Sequence, residues 1–408
     1  MTDLDLEHVR RQFPAFSEPG LAGQAFFENA GGSYTCKPVL ERLFRFYHQR
    51  KVQPYAPYEA SRLGGAEMDE ARQRLAAWLG VAPDELSFGP STTQNTYVLA
   101  QAFRQYLSAG DTIIVSNQDH EANSGAWRRL AADGITVREW RVQPDSGHLD
   151  LADLAELLDG SVRLVCFPHC SNIVGEINPV AEIVTLVHEA GALSCVDGVS
   201  YAPHGLPDIG ALGADIYLFS SYKTYGPHQG IMVVRRALAE VLPNQAHEFN
   251  AGCLNKRFTP AGPDHAQVAA CAGIVDYFET LHDHHDLGAR TPAQKGAAVH
   301  GLMRRHEERL LRPLLAYLGG RNDLRLLGPA DAEIRAPTVA IALPEAGERV
   351  AARLARHGIM AGGGDFYAGR VIAAMGEDPA RGVLRLSFTH YTSAAEVTRL
   401  IAALDAEI

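Results

Sequence analysis

Apolar and polar positions alternate in two rhythms along this chain. Residues 214–219, Ala-Asp-Ile-Tyr-Leu-Phe, form a β-favouring run that reads as a buried strand. Similar runs predict strands at 85–89, 111–116, 163–168 and 192–197. Helical spacing lies between them. Residues 179–190 and 68–80 read as helices; the second puts Ala71, Leu75 and Trp78 on one face, and Gly191 and Gly80 stand where each stops. Another helix opens at 90–95 and runs through Ala102. From 80 to 235 strands and helices alternate without an internal repeat, which predicts a mainly parallel sheet covered by helices. Residues 1–24 read as an N-terminal arm, amphipathic between about 5 and 20, and 25–289 as a large body that opens with a short strand running into Gly31 and Gly32. A smaller α+β domain takes 290–408, with long helices to about 318, strands near 323–327 and 337–343, a helix over 346–357 and a last strand at 382–388. Residues 55–62 and 247–265 read as loops.

The 408 residues suffice for a sizeable core, and 46% hydrophobic with 21% charged residues is ordinary for a globular protein. A net charge of −11 argues against nucleic acid or an anionic membrane as a general partner, though not against a local basic pocket. The acidic start lacks a signal peptide's apolar core, and no apolar run approaches a membrane span. Cysteines 36, 166, 170, 195, 253 and 271 show neither zinc spacing nor a disulfide framework, so a reducing cytoplasm is the simplest location. The His282–Asp286 cluster is too tightly bunched for a defined metal site and reads as a polar turn; no metal is expected.

The chemistry gathers at strand ends. The strand at 214–219 runs into Ser220-Ser221-Tyr222-Lys223, and the one before it ends in Asp197. A lysine beside apolar residues must be paired or lose its charge. A neutral amine can form a Schiff base with an aldehyde; a surface lysine just past a strand is the competing reading. Two successive parallel strands would present Asp197 and Lys223 at their carboxyl ends, where open α/β sheets bind ligands. Together they are what pyridoxal phosphate needs: a Schiff-base lysine, and a carboxylate that keeps the pyridine nitrogen protonated. The Pro90-Ser91-Thr92-Thr93 opening offers hydroxyls and free N–H groups at a helix start, either as an anion site or as an ordinary N-cap. No G-x-G-x-x-G or P-loop pattern follows a strand, which argues against a nucleotide-dependent oxidoreductase.

Val196-Asp197-Gly198, Phe219 to Lys223 and Tyr225-Gly226-Pro227 resemble the class V aminotransferase superfamily of fold type I pyridoxal phosphate enzymes, nearest to its cysteine desulfurase and selenocysteine lyase subgroup. The resemblance spans roughly residues 20–400. It implies a large, mainly parallel α/β domain with a smaller C-terminal α+β domain, and a homodimer. It implies that Lys223 carries the cofactor, that His120 stacks on its ring and shuttles protons, and that Thr92, Thr93 and Ser220 hold its phosphate. Asn172 and Ser200 would lie near its phenolic oxygen, Asn29 would border the substrate, and Arg385 would bind the α-carboxylate of a small amino acid. Tyr222 stands where desulfurases often carry histidine, Ser200 where they often carry glutamine, and Ala261-Gly262-Pro263 lacks a threonine used for a cross-subunit phosphate contact. In the Gly-rich stretch 362–368, Tyr367 takes the place of the nucleophilic cysteine, so that Asp365, Tyr367 and Arg370 become the possible substrate contacts. Fungal decarboxylating aldolases resemble the chain at 91–93, 120–122, 222–223 and 226–228, and likewise lack the thiol. The expected activity is therefore at Cβ of an L-amino acid, as a C–S lyase or an aspartate β-decarboxylase, without persulfide chemistry. Joining the resulting enamine to an aldehyde, or transamination, are the alternatives.

Overall fold

A computed structural model of the chain describes residues 3–408; residues 1 and 2 of the expected arm lie outside the described residues. Its centre is a seven-stranded sheet in the order Leu86–Gly89, Gly230–Val234, Ile216–Ser220, Leu193–Asp197, Val162–Pro168, Thr112–Ser116, Thr136–Trp140. Only Gly230–Val234 runs against its neighbours. The other six strands therefore end on the same edge. The central strands are buried on both faces, as their continuous apolar runs require. Two strands were not singled out from the sequence. Gly230–Val234 follows closely on the Gly-Pro-His turn and forms part of the core. Thr136–Trp140 is an edge strand carrying Arg138 and Glu139, so its apolar signal is diluted.

A second, four-stranded antiparallel sheet is ordered Gly362–Gly364, Val383–Ser387, Thr338–Ala342, Arg325–Leu327. The chain's own beginning is sewn into it. Ala25–Phe26 pairs in parallel with Ile359–Met360, and Ser387 N–H donates to the Phe27 carbonyl (2.7 Å). Ala25 and Phe27 are buried in the C-terminal core with Leu311, Ile341 and Leu386. Residues 25–29, which the sequence places at the head of the large body, thus belong physically to the smaller one. Helix Pro292–Gly319 couples the two: Val299, Leu302 and Met303 pack into the large core, Leu310 to Leu318 into the small one.

Three segments differ from expectation. Residues expected as a loop up to Arg62 belong in part to a single helix, Glu59–Trp78. Gly64 and Gly65 weaken its helical signature, yet a Cβ at Gly65 would lie 2.6 Å from the Tyr55 ring, so the glycine lets the preceding aromatic lie against the helix. Arg62 is exposed and lies outside the cavity described below. The glycine stretch at 362–364 is an edge strand, because a Cβ at Gly363 would come within 2.1 Å of the Glu348 nitrogen. The histidine cluster ties down the arm: His284 Nε2 bonds Asp5 (2.9 Å), Asp5 N–H donates to His285 Nε2 (2.9 Å), and His8 stacks on His284 at 3.6 Å. Among the described residues no helix is long and apolar enough to cross a membrane.

Gly230 sets how closely the sheet approaches the helix that follows Gly89. A Cβ there would fall 2.4 Å from the Ser91 carbonyl carbon and 2.6 Å from the Thr92 nitrogen, both backbone atoms. Gly230→Ala should destabilise the fold by about 1–3 kcal/mol and weaken cofactor retention. Chemical denaturation and equilibrium dialysis would check the two effects; an unchanged midpoint would mean the strand can shift freely.

Candidate active site

The strand ends enclose a cavity of about 190 Å³ lined by Thr92, Thr93, His120, Asn172, Asp197, Ser200, Ser220, Tyr222 and Lys223, nine of the residues singled out by sequence. They arrive from five segments, each at or just after the end of a strand of the large sheet. Ser91 caps helix Thr92–Tyr106, its Oγ accepting from the Gln94 N–H (3.1 Å), which leaves the first turn's remaining N–H groups aimed at the cavity edge. Thr92 and Ser220 share a hydroxyl–hydroxyl bond of 2.8 Å between the ends of two neighbouring elements. Lys223 follows strand Ile216–Ser220 in a 3-10 turn, its carbonyl held by the Ser33 hydroxyl (2.6 Å).

Burial governs the protonation pattern. It pulls the Lys223 ammonium down to about 8; the Arg385 charge acts the same way and Asp197 opposes. It raises Asp197 to about 6, against a 2.8 Å hydrogen bond from the Val199 N–H and the attraction of Lys223. Asp119, fully buried alongside, is pushed well above the carboxylate range by burial and by the charge of Asp197. One of these two acids therefore holds a proton while the other is the anion. His120 is lowered to about 3 by burial and by the charges of Lys223 and Arg385. Its Nδ1 accepts the Ala122 N–H (3.0 Å), so the neutral ring carries its proton on Nε2.

The three remaining expected residues lie around the cavity rather than in its lining. Arg385, 3% exposed, places Nη2 2.7 Å from Glu28 Oε1 and Nη1 3.3 Å from the Asn172 carbonyl, with its guanidinium 3.7 Å above the Phe366 ring. Asn29 spends its amide on the Phe26 and Ser387 carbonyls and accepts from the Tyr391 hydroxyl, tying the N-terminal segment to the last strand beside Lys223. Tyr367 is 73% exposed, its ring 5.5 Å from that of His120. Phe366 and Tyr367 both have positive φ, 49° and 55°, an unusual pair of left-handed aromatics. The Phe366 carbonyl accepts from Asn172 Nδ2 (3.0 Å) and the Tyr367 carbonyl from the Glu121 N–H (2.7 Å), which pins the loop over the site. Of the other two residues expected to touch substrate from this loop, Asp365 Oδ1 accepts the Tyr367 N–H (3.1 Å) and Arg370 is paired with Glu121.

Several participants escaped the sequence reading. Asp119 and Glu28 are acids beside residues already noticed, His120 and Asn29; the burial of Asp119 and the pairing of Glu28 with Arg385 were the missing signals. Cys170 and His228 also line the cavity; His228 stacks on Tyr222 at 4.8 Å.

These groups suit pyridoxal phosphate. An amine of lowered pKa, a buried acid pair and a hydroxyl-lined helix start surround one space, and two buried acceptor oxygens of its lining, Asp119 Oδ1 and Asn172 Oδ1, have no protein partner. Comparison with known proteins agrees. The family model for class-V aminotransferases matches residues 25–253. The chain is 33% identical over 416 residues to the Aminotransferase-like protein FGM3 of Gibberella zeae, covering 99% of this chain and 98% of that one. It is 30% identical over 419 residues to a cysteine desulfurase of Serratia proteamaculans, covering 98% and 97%. Among solved structures, the fold is shared with the cysteine desulfurase of Thermococcus onnurineus NA1 (TM-score 0.85, 22% identity, 100% and 98% covered). It is also shared with the cysteine desulfurase CsdA of Escherichia coli (TM-score 0.80, 24% identity, 99% and 98% covered). The chain belongs to the class-V aminotransferases, a family of pyridoxal phosphate enzymes.

Proposed function

We propose that this enzyme is a lyase working at Cβ of an L-amino acid, by C–S elimination or by loss of an aspartate β-carboxylate, without passing sulfur through a protein persulfide. The observation that carries the reading is the loop over the cavity, which offers Tyr367 and no thiol. A phenol cannot take sulfur as a persulfide. Cys253 is exposed but lies outside the cavity lining, and burial pushes the Cys170 thiol up to about 12, far from the reactive thiolate. The relatives named cysteine desulfurase support chemistry at Cβ, where cysteine carries its sulfur.

Bound here, pyridoxal phosphate supplies an electron sink for the pair left on the substrate. The protein's part is to place charge and protons. Thr92, Thr93 and Ser220 hold the phosphate at the helix start. Asp197 would present its carboxylate at the pyridine end, with Asp119, raised by burial, beside it. Asn172, Ser200 and Tyr222 border the ring, and His120, locked neutral, offers a flat face to stack on. Arg385 receives the α-carboxylate, with Asn29 fixing the segment beside it. Lys223 Nζ, with an appreciable neutral fraction near neutrality, takes the proton from Cα. We read the molecule further as a cytoplasmic homodimer, supported by six free cysteines and by exposed aromatics at Phe44, Tyr55 and Phe249.

Two outcomes test this reading. Purified enzyme mixed separately with aspartate, cysteine and cysteine sulfinate should yield alanine or pyruvate, seen by mass spectrometry, without any keto-acid acceptor. An added aldehyde would expose a carbon–carbon bond-forming branch. Turnover that strictly requires a keto acid would sink the lyase and favour the transamination that the relation to the aminotransferase-like protein FGM3 suggests. Lys223→Ala should abolish every product.

The lowered pKa of Lys223 gives a pH signature. Only the neutral amine attacks an aldehyde, so the reactive fraction grows as pH rises through the pKa and is complete above it. Borohydride trapping of pyridoxal phosphate on the cofactor-free protein should therefore quicken with pH, reach half its limit at about 8 and level off above that. A rate still climbing toward the pKa of an ordinary lysine, about 10.4, would show that burial does not activate this group.

A further inference from the structure

The pairing of Arg385 with Glu28 is only half made. Nη2 and Nε share one edge of a guanidinium plane, the edge on which a carboxylate docks with two parallel bonds. Glu28 uses one of the two. Its Oε1 meets Nη2 at 2.7 Å, while Glu28 Oε2 and Arg385 Nε are both buried without a partner. The rest of the guanidinium is committed: Nη1 to the Asn172 carbonyl and one face to the Phe366 ring. Two orphaned buried groups within a single ion pair are costly, and a two-pronged ligand on that edge would satisfy the arginine.

Glu28 also sits in a space shaped for it. Gly362 lies opposite Arg385 in the sheet, and a Cβ there would come within 2.8 Å of Glu28 Oε2; a Cβ at Gly31 would come within 2.8 Å of Oε1. The Glu28 side chain is 27% exposed, so a displaced carboxylate can recover water.

We propose that Glu28 is a placeholder for the substrate: an internal carboxylate on the Nη2–Nε edge of Arg385 that the substrate's α-carboxylate displaces. It keeps a buried cation neutralised between turnovers and yields to the ligand that can make both bonds. The inference rests on Arg385 being the carboxylate site of the proposed function. It sets a selectivity rule, because a ligand must bring a planar acid able to outcompete a resident one. An amide or ester of the same amino acid cannot do so.

Propionate tests it, since this acid has no amine and cannot react at the cofactor. Binding to the holoenzyme is measured by calorimetry. Glu28→Gln, which removes the competing charge, should bind propionate at least about fivefold more tightly than the parent. Gly362→Ala, which crowds Oε2 with a methyl group and leaves all charges in place, should shift affinity the same way. A crystal of the parent with propionate should show the acid on Nη2 and Nε, with Glu28 turned away. Equal or weaker binding by both variants, or propionate bound with Glu28 still on Nη2, would overturn the placeholder and make Glu28 a support for Arg385. Should Arg385→Gln bind propionate as well as the parent does, the carboxylate site itself is wrong and the placeholder falls with it. The products of the amino-acid assay judge the lyase reading separately.

Discussion

The site depends on one costly arrangement: a lysine buried at the end of a central strand. Strand Ile216–Ser220 is buried, and so is Lys223 in the turn after it. The charge is relieved by lowering its pKa and by Asp197 one strand away. Each relief disturbs the next group. Burial raises Asp119 and the charge of Asp197 adds to it, while burial, with the cations Lys223 and Arg385, keeps His120 neutral. The protonation pattern of the cavity follows from the burial of each group, and the charges couple them, so exchanging a single one of these groups would re-tune the others.

The same edge explains why two cores are needed. The parallel strands supply Asp197 and Lys223, and the smaller sheet supplies Arg385. What joins them is the N-terminal segment. Asn29 bonds the Ser387 carbonyl, the Ala30 N–H donates to the Ser387 hydroxyl, and Ser33 holds the Lys223 carbonyl. A few residues near the start of the chain thus fasten the last strand to the lysine turn. Helix Pro292–Gly319 does the same at larger scale by burying its two halves in different cores. Arg385 and Lys223 are thereby held in a fixed relation to one another.

Much of this was legible in the residues. Apolar runs of five to seven residues announced the central strands, and the residues after them, from Thr92 to Lys223, line one cavity because strands of common direction end together. What stayed hidden depended on partners distant in sequence. Nothing local marks Ala25–Phe26 as belonging to a strand more than three hundred residues away. Glycines concealed two elements: Gly64 and Gly65 broke the helical pattern of Glu59–Trp78, and Gly362–Gly364 looked like a loop because its closeness to Glu348 leaves no room for side chains. Asp119 and Glu28 were invisible as functional groups, since an acid beside a noted residue carries meaning only once its burial or its pairing is known.

The loop over the cavity shows how a scaffold can exchange one chemistry for another. A nucleophilic thiol needs a partly exposed position near cations. Residue 367 has the exposure, yet carries a phenol. The backbone that presents it is strained at two successive residues and is held by Asn172 and Glu121, groups that also border or flank the cofactor cavity. Strain that persists because surrounding bonds over-determine it fixes where a side chain stands, not what the side chain is. On such a platform the side chain at 367 can differ while the amine and the acid pair of the cavity stay in place.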